Sequence, residues 1–167
     1  MSCNFLTTVS GRDIPGVIKS LAQTTRRAGG SWLACKLIKL DGQFAAIMSV
    51  VVDKNKEVQL KSILEKKFPD LQFIYAHTNA IGNEATKTIQ LMVDCIDRPG
   101  LTGDLSNILT NLDIGVEAME CKRFTMEGIN DKVFSAKLTL AVLETAESEV
   151  IAGEIEALAE EIRVNVL

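Results

Sequence analysis

The 167 residues are 47% hydrophobic and carry a formal net charge of −4, enough apolar material for a core but no basic face to neutralise nucleic-acid phosphates. That length suits two compact units of roughly 80 residues better than one domain. No apolar run approaches the roughly 20 residues needed to cross a bilayer. Met1-Ser2-Cys3-Asn4 leads into a mixed strand rather than a secretory leader. The four cysteines (Cys3, Cys35, Cys95, Cys121) lack C-x-x-C spacing, and the one histidine, His77, has no Cys or His near it in sequence. Reduced thiols, a cytoplasmic protein, no metal and no cofactor are the expectation.

Phe5 to Val9 reads as a first strand, broken by Asp13-Ile14-Pro15-Gly16. Val17, Leu21, Thr25 and Ala28 then recur at helical spacing, and Gly29-Gly30 supplies a stop. Trp32 to Leu40 is a second strand. Asp41-Gly42 is a strong hairpin signal, because both central residues of a type I′ turn need positive φ. Phe44 to Val52 is its very apolar partner. Leu60, Ile63, Leu64 and Lys67 mark a second helix ending before Pro69, and Leu71 to Ala76 a fourth strand.

The same order then returns. Thr88 to Cys95 alternates, with Ile89, Leu91, Val93 and Cys95 on one face. Asp97-Arg98-Pro99-Gly100 follows it, 84 residues after the first such turn (Pro15 to Pro99). Leu101, Leu105, Ile108, Leu109 and Leu112 form a helical stripe. Val116 to Phe124 matches Trp32 to Leu40, Glu127-Gly128-Ile129-Asn130 makes a longer hairpin loop, and Val133 to Leu143 is the apolar third strand. Ile151, Ile155, Leu158 and Ile162 give the last helix, and Arg163 to Leu167 the closing strand. A recurrence in the same setting makes a duplicated βαββαβ unit the reading: an α+β chain of two ferredoxin-like domains, 1–79 and 86–167, joined by a linker at 80–85. Each has a four-stranded antiparallel sheet with both helices on one face.

A strand-to-helix turn presents unpaired helix N–H groups that can hold an anion. A ligand carboxylate would approach at Gly16 or Gly100, where no Cβ blocks it, and an Asp carboxylate would suit an ammonium group. The alternative is that Asp13 and Asp97 cap the helix and Pro-Gly shapes its start. Catalysis finds no Ser/His/Asp or Cys/His arrangement, and the Gly spacing is not that of a P-loop. An RNA-binding sheet would show basic and aromatic residues on its central strands, whereas Phe44-Ala45-Ala46-Ile47-Met48 has one aromatic and no base. A metallochaperone would carry C-x-x-C in place of Asp-x-Pro-Gly.

The repeat resembles a tandem pair of ACT domains. That family carries Asp-Arg-Pro-Gly between strand one and helix one, matched in full by Asp97-Arg98-Pro99-Gly100 and without the Arg by Asp13-Ile14-Pro15-Gly16. Its downstream Gly-x-Asn-Ile motif is partly met by Gly29-Gly30-Ser31-Trp32 and Asp113-Ile114-Gly115-Val116. Within the family, a free-standing pair of this length is similar to the bacterial glycine cleavage system transcriptional repressors. The resemblance implies a non-enzymatic, homo-oligomeric regulator that senses an amino acid, with glycine a candidate. It implies control of transcription through a protein partner such as an activator, without direct contact to nucleic acid or membrane. The other role it implies is a regulatory subunit binding an amino-acid effector for a separate metabolic enzyme. The implied ligand site lies beside Asp97, Arg98, Pro99, Gly100 and Leu101. Asp13, Ile14, Pro15, Gly16 and Val17 form the equivalent place, weaker or purely structural.

Overall fold

The computed structural model describes residues 1–78, 86–128 and 130–167, so the linker placed at 80–85 lies outside the described residues, as does Ile129 in the second hairpin loop. The chain divides into two compact units, Met1–Ile81 and Gly82–Leu167. In the first, β1 (Ser2–Arg12), α1 (Val17–Arg27), β2 (Ser31–Leu40), β3 (Gln43–Asp53), α2 (Glu57–Lys67) and β4 (Gln72–His77) follow in order, with a 3-10 turn at Lys54–Lys56 before α2. The second repeats the plan as β5 (Thr86–Ile96), α3 (Leu101–Asn111), β6 (Gly115–Thr125), β7 (Lys132–Leu143), α4 (Ser148–Glu156) and β8 (Arg163–Val166). The sheets run β2-β3-β1-β4 and β6-β7-β5-β8, antiparallel throughout. The chain is thus two ferredoxin-like βαββαβ units of the α+β class.

Alternation along the central strands decides which face each helix pair covers. Phe5 and Val9 of β1, with Phe44, Ala46, Met48 and Val50 of β3, are buried against Leu21 of α1 and Leu60 and Leu64 of α2. Leu91 and Val93 of β5, with Phe134, Ala136, Leu138 and Leu140 of β7, meet Leu101, Leu105 and Leu109 of α3 and Ile151 and Ile155 of α4. Each such Leu or Ile contributes about 1.5–3 kcal/mol by leaving water. Asp41 (φ 48) and Gly42 (φ 76) both take positive φ, as the type I′ hairpin between β2 and β3 requires.

The duplication extends to irregularities. The β2–β3 register slips between Trp32 and Ala34, and β6–β7 slips between Val116 and Ala118, so the bulged residues Leu33 and Glu117 are again 84 apart. A bulge increases the local twist of an edge strand. Two helix ends differ from the periodic reading. Asn111 closes α3, leaving Leu112 exposed, and α4 stops at Glu156. Leu158 and Ile162 therefore reach the core from the turn into β8, where the Ile162 N–H donates to the Ala159 carbonyl. The chain must reverse there to add its last strand, and that requirement overrides helical periodicity.

Candidate functional site

The two Asp-x-Pro-Gly turns adopt one geometry. Gly16 (φ 82, ψ 0) and Gly100 (φ 83, ψ −2) are the residues before α1 and α3, both left-handed, a conformation open to Gly without a Cβ penalty. The Ser20 N–H donates to the Gly16 carbonyl at 2.9 Å and the Asp104 N–H to that of Gly100 at 3.0 Å. Of the intervening N–H groups, that of Val17 donates to the Ile14 carbonyl at 3.1 Å, and those of Ile18 and Lys19 have no carbonyl one turn behind them inside the helix and face outward.

Neither aspartate caps its helix; α1 and α3 have no side-chain cap at all. That reading is corrected by where the carboxylates go. Asp13 pairs with Lys39 of β2 at 3.0 Å. Asp97 receives the Arg123 Nε at 3.1 Å on each oxygen, and Arg123 of β6 also donates to Thr102 Oγ1 at 3.4 Å. The Arg123 guanidinium lies 4.9 Å from the centroid of the Phe134 ring, a cation–π contact that holds its plane. The aspartate amides are fixed as well: Asp13 N–H donates to the Gly42 carbonyl at 2.9 Å, and Asp97 N–H to the Lys132 carbonyl at 2.8 Å. Each aspartate therefore ties the turn to the neighbouring hairpin. Lys39 and Arg123 escaped the sequence reading, yet the 84-residue offset that aligns Asp13 with Asp97 also aligns these two cations.

Around the first turn, Asp13, Ile14, Pro15, Gly16 and Val17 come together with Ile18, Lys19 and Lys39 to line a cleft of about 290 Å³. The second turn is more self-satisfied. Arg98 pairs with Asp104 of α3 at 2.7 Å. Leu101 is 1% exposed and belongs to the core of its unit, so only its backbone faces the turn. Just before the turn, burial pushes the Cys95 thiol above its ordinary value, which keeps it protonated and unreactive at neutral pH.

Residues 4–76 match the family described as ACT domain. No curated protein sequence matches the chain. Among solved structures, an unknown protein from Galdieria sulphuraria superposes with a TM-score of 0.83 at 17% identity, covering 99% of this chain and 98% of that one. A candidate glycine cleavage system transcriptional repressor superposes with a TM-score of 0.77 at 16% identity, covering 100% and 98%. At such identities the likeness speaks for the fold, and it runs through both units. The first unit thus matches the ACT domain along nearly its whole length, and with the same βαββαβ plan repeated after it, the chain has the fold of two ACT-like units in tandem.

Proposed function

We propose that the chain is a non-enzymatic regulatory protein of the cytoplasm that senses an amino acid and controls transcription of the glycine cleavage type through a protein partner. Its two domains span 1–79 and 86–167, and it works as a homo-oligomer. The observation that carries this reading is the first turn. A cleft of about 290 Å³ sets a carboxylate (Asp13) and an ammonium (Lys39) beside outward helix N–H groups and a glycine without Cβ. A free amino acid carries the complementary pair of charges, its carboxylate suited to the N–H groups and Lys39, its ammonium to Asp13. The full-length likeness to the candidate repressor supports the transcriptional role.

The complete motif gave the second turn precedence. The geometry favours the first, because Arg123 already holds both Asp97 oxygens while Asp13 has a single monodentate partner. Titration calorimetry of the full chain against the twenty amino acids tests the sensing role. Binding of at least one is expected, with the affinity lowered at least tenfold, about 1.4 kcal/mol, by Asp13→Asn or Lys39→Met. No binding to any of them would refute it. Capture of partners from native cytosol tests the output: a transcription factor supports the reading, and a metabolic enzyme would replace it with the regulatory-subunit role.

A further inference from the structure

The helix-free face of the first sheet carries a second concavity, about 470 Å³ in volume, whose lining shares no residue with the cleft at Gly16. Strand register shows how it forms. Ile38, Ala45, Ser10 and Gln72 make one row across all four strands, since Ile38 pairs with Ala45, Ala45 with Ser10, and Ser10 with Gln72. The next row outward is Leu40, Gln43 and Arg12. The row inward is Lys36, Ile47, Thr8 and Ile74. Residues in a row project to the same face, and the intervening Val9, Phe44 and Ala46 are buried under the helices. The small Ala45 and Ser10 therefore form a floor, with longer side chains standing around it.

The wall is chemically divided. On the β2 side stand Ile38 and Leu40, 65% and 73% exposed. Across the sheet stand Arg12, at the end of β1, and Asp70, in the segment entering β4. Asp70 is brought there by a close approach: a Cβ on Gly11 would run into the end of the Leu71 side chain and lie 3.3 Å from the Asp70 carbonyl oxygen. Glycine lets that segment press against β1 without displacing the Leu71 side chain. Among the described residues, neither Arg12 nor Asp70 enters an ion pair. A cation and an anion thus share one rim unneutralised, opposite an aliphatic wall. Unit two lacks this chemistry, with Asp94, Ile96 and Lys122 where Ser10, Arg12 and Ile38 stand.

We infer that this saucer is a binding site for a small zwitterion with an apolar side chain, the class of the aliphatic and aromatic α-amino acids. Arg12 takes the carboxylate as a planar fork, Asp70 takes the ammonium, and the side chain lies on Ala45 against Ile38 and Leu40. A volume of this size accommodates such a molecule. The inference deepens the sensing role by adding a site distinct from the Asp-x-Pro-Gly turns.

The test is calorimetry of the full chain with L-leucine and L-phenylalanine, each beside its des-amino carboxylic acid. Ala45→Trp fills the floor from the solvent side, Arg12→Gln removes the carboxylate partner, and Asp70→Asn the ammonium partner. Expected is saturable binding of at least one amino acid. Its affinity should fall at least tenfold in Ala45→Trp and Arg12→Gln, and Asp70→Asn should erase the preference for the amino acid over its des-amino acid. Circular dichroism matching the parent keeps a loss of binding from being a loss of fold, and Ala45→Ser, which leaves the floor open, should bind like the parent. Absence of binding by both amino acids overturns the inference, as does parent-like binding in Ala45→Trp and Arg12→Gln. Binding that survives the saucer variants but falls in Asp13→Asn overturns the saucer alone and leaves sensing at the turn intact; the converse pattern keeps the saucer and removes the turn.

Discussion

Thr7 stands in the middle of β1 with 0% exposure, and its Oγ1 finds no hydrogen-bond partner among the described residues. It faces Met48 on β3 and Tyr75 on β4, between Phe5 and Val9 along its own strand. The equivalent position in unit two is Leu91, paired with Leu138. A buried hydroxyl without a partner costs about 1–3 kcal/mol, so Thr7→Val, which exchanges that hydroxyl for a methyl of similar size, should stabilise unit one by about 1–2 kcal/mol. Trp32 is the only tryptophan and lies in β2 of that unit, its Nε1 donating to Thr25 Oγ1 at 3.3 Å. Its fluorescence therefore follows unit one during urea unfolding. With a slope near 1 kcal/mol/M for a unit this small, the midpoint should rise by about 1 M or more without a change in slope. Thr7→Ser keeps the hydroxyl, loses the methyl and should lower the midpoint. A Thr7→Val midpoint equal to or below the parent would show that the hydroxyl is satisfied in solution, by a buried water for instance, and would refute the reasoning.

Two glycines three residues apart should respond with opposite signs. Gly100→Ala forces a Cβ into φ +83 and should cost unit two about 1–2 kcal/mol, whereas Gly103→Ala, inside α3 with open space around its Cβ, should gain about 0.5–1 kcal/mol. Thermal unfolding followed by far-ultraviolet dichroism reads both, and shifts of the same sign would contradict the backbone assignment. In unit one, Lys61 and Cys3 donate to the Glu57 carboxylate and hold it below the ordinary glutamate value. A depressed folded value means that the stabilisation is fully present above the unfolded value, near pH 4.3, and is lost as pH falls through the folded one. The Trp32-monitored midpoint should therefore drop on acidification through that window. It should drop less steeply in Glu57→Gln, and equal slopes in the two proteins would exclude the effect.

Local rules carried most of the fold. Alternation marked the central strands, the Asp-Gly pair marked a hairpin whose two positive φ values are observed, and the 84-residue register survives into the bulges at Leu33 and Glu117. Other features depend on neighbours distant in sequence. A helix cap is a local inference from Asp followed by Pro-Gly, but Lys39 and Arg123 arrive across the sheet and draw the carboxylates away from the helices. The last helix ends early because a strand must follow it. Ser10 and Ala45 are merely small residues in the sequence; only the pairing of β1 with β3 makes them a floor.

The copy with the complete motif is not thereby the copy best shaped for a ligand. The arginine that completes Asp97-Arg98-Pro99-Gly100 turns back onto Asp104 in the first turn of α3 and places its charge where an anion would approach the helix start. Its partner carboxylate there works against that anion. In copy one, Ile14 replaces the arginine and Ser20 stands where Asp104 does, so the helix start carries no acidic residue and Lys19 and Lys39 line the cleft. Exposed pairs such as Arg98–Asp104 are worth about 1 kcal/mol or less, so a ligand carboxylate could capture Arg98 at little cost but would still meet the field of Asp104. At the first turn the Asp13–Lys39 pair has to open instead, but the ligand supplies both replacement charges, and the electrostatics of α1 act on its carboxylate unopposed by an acid in the first turn of the helix.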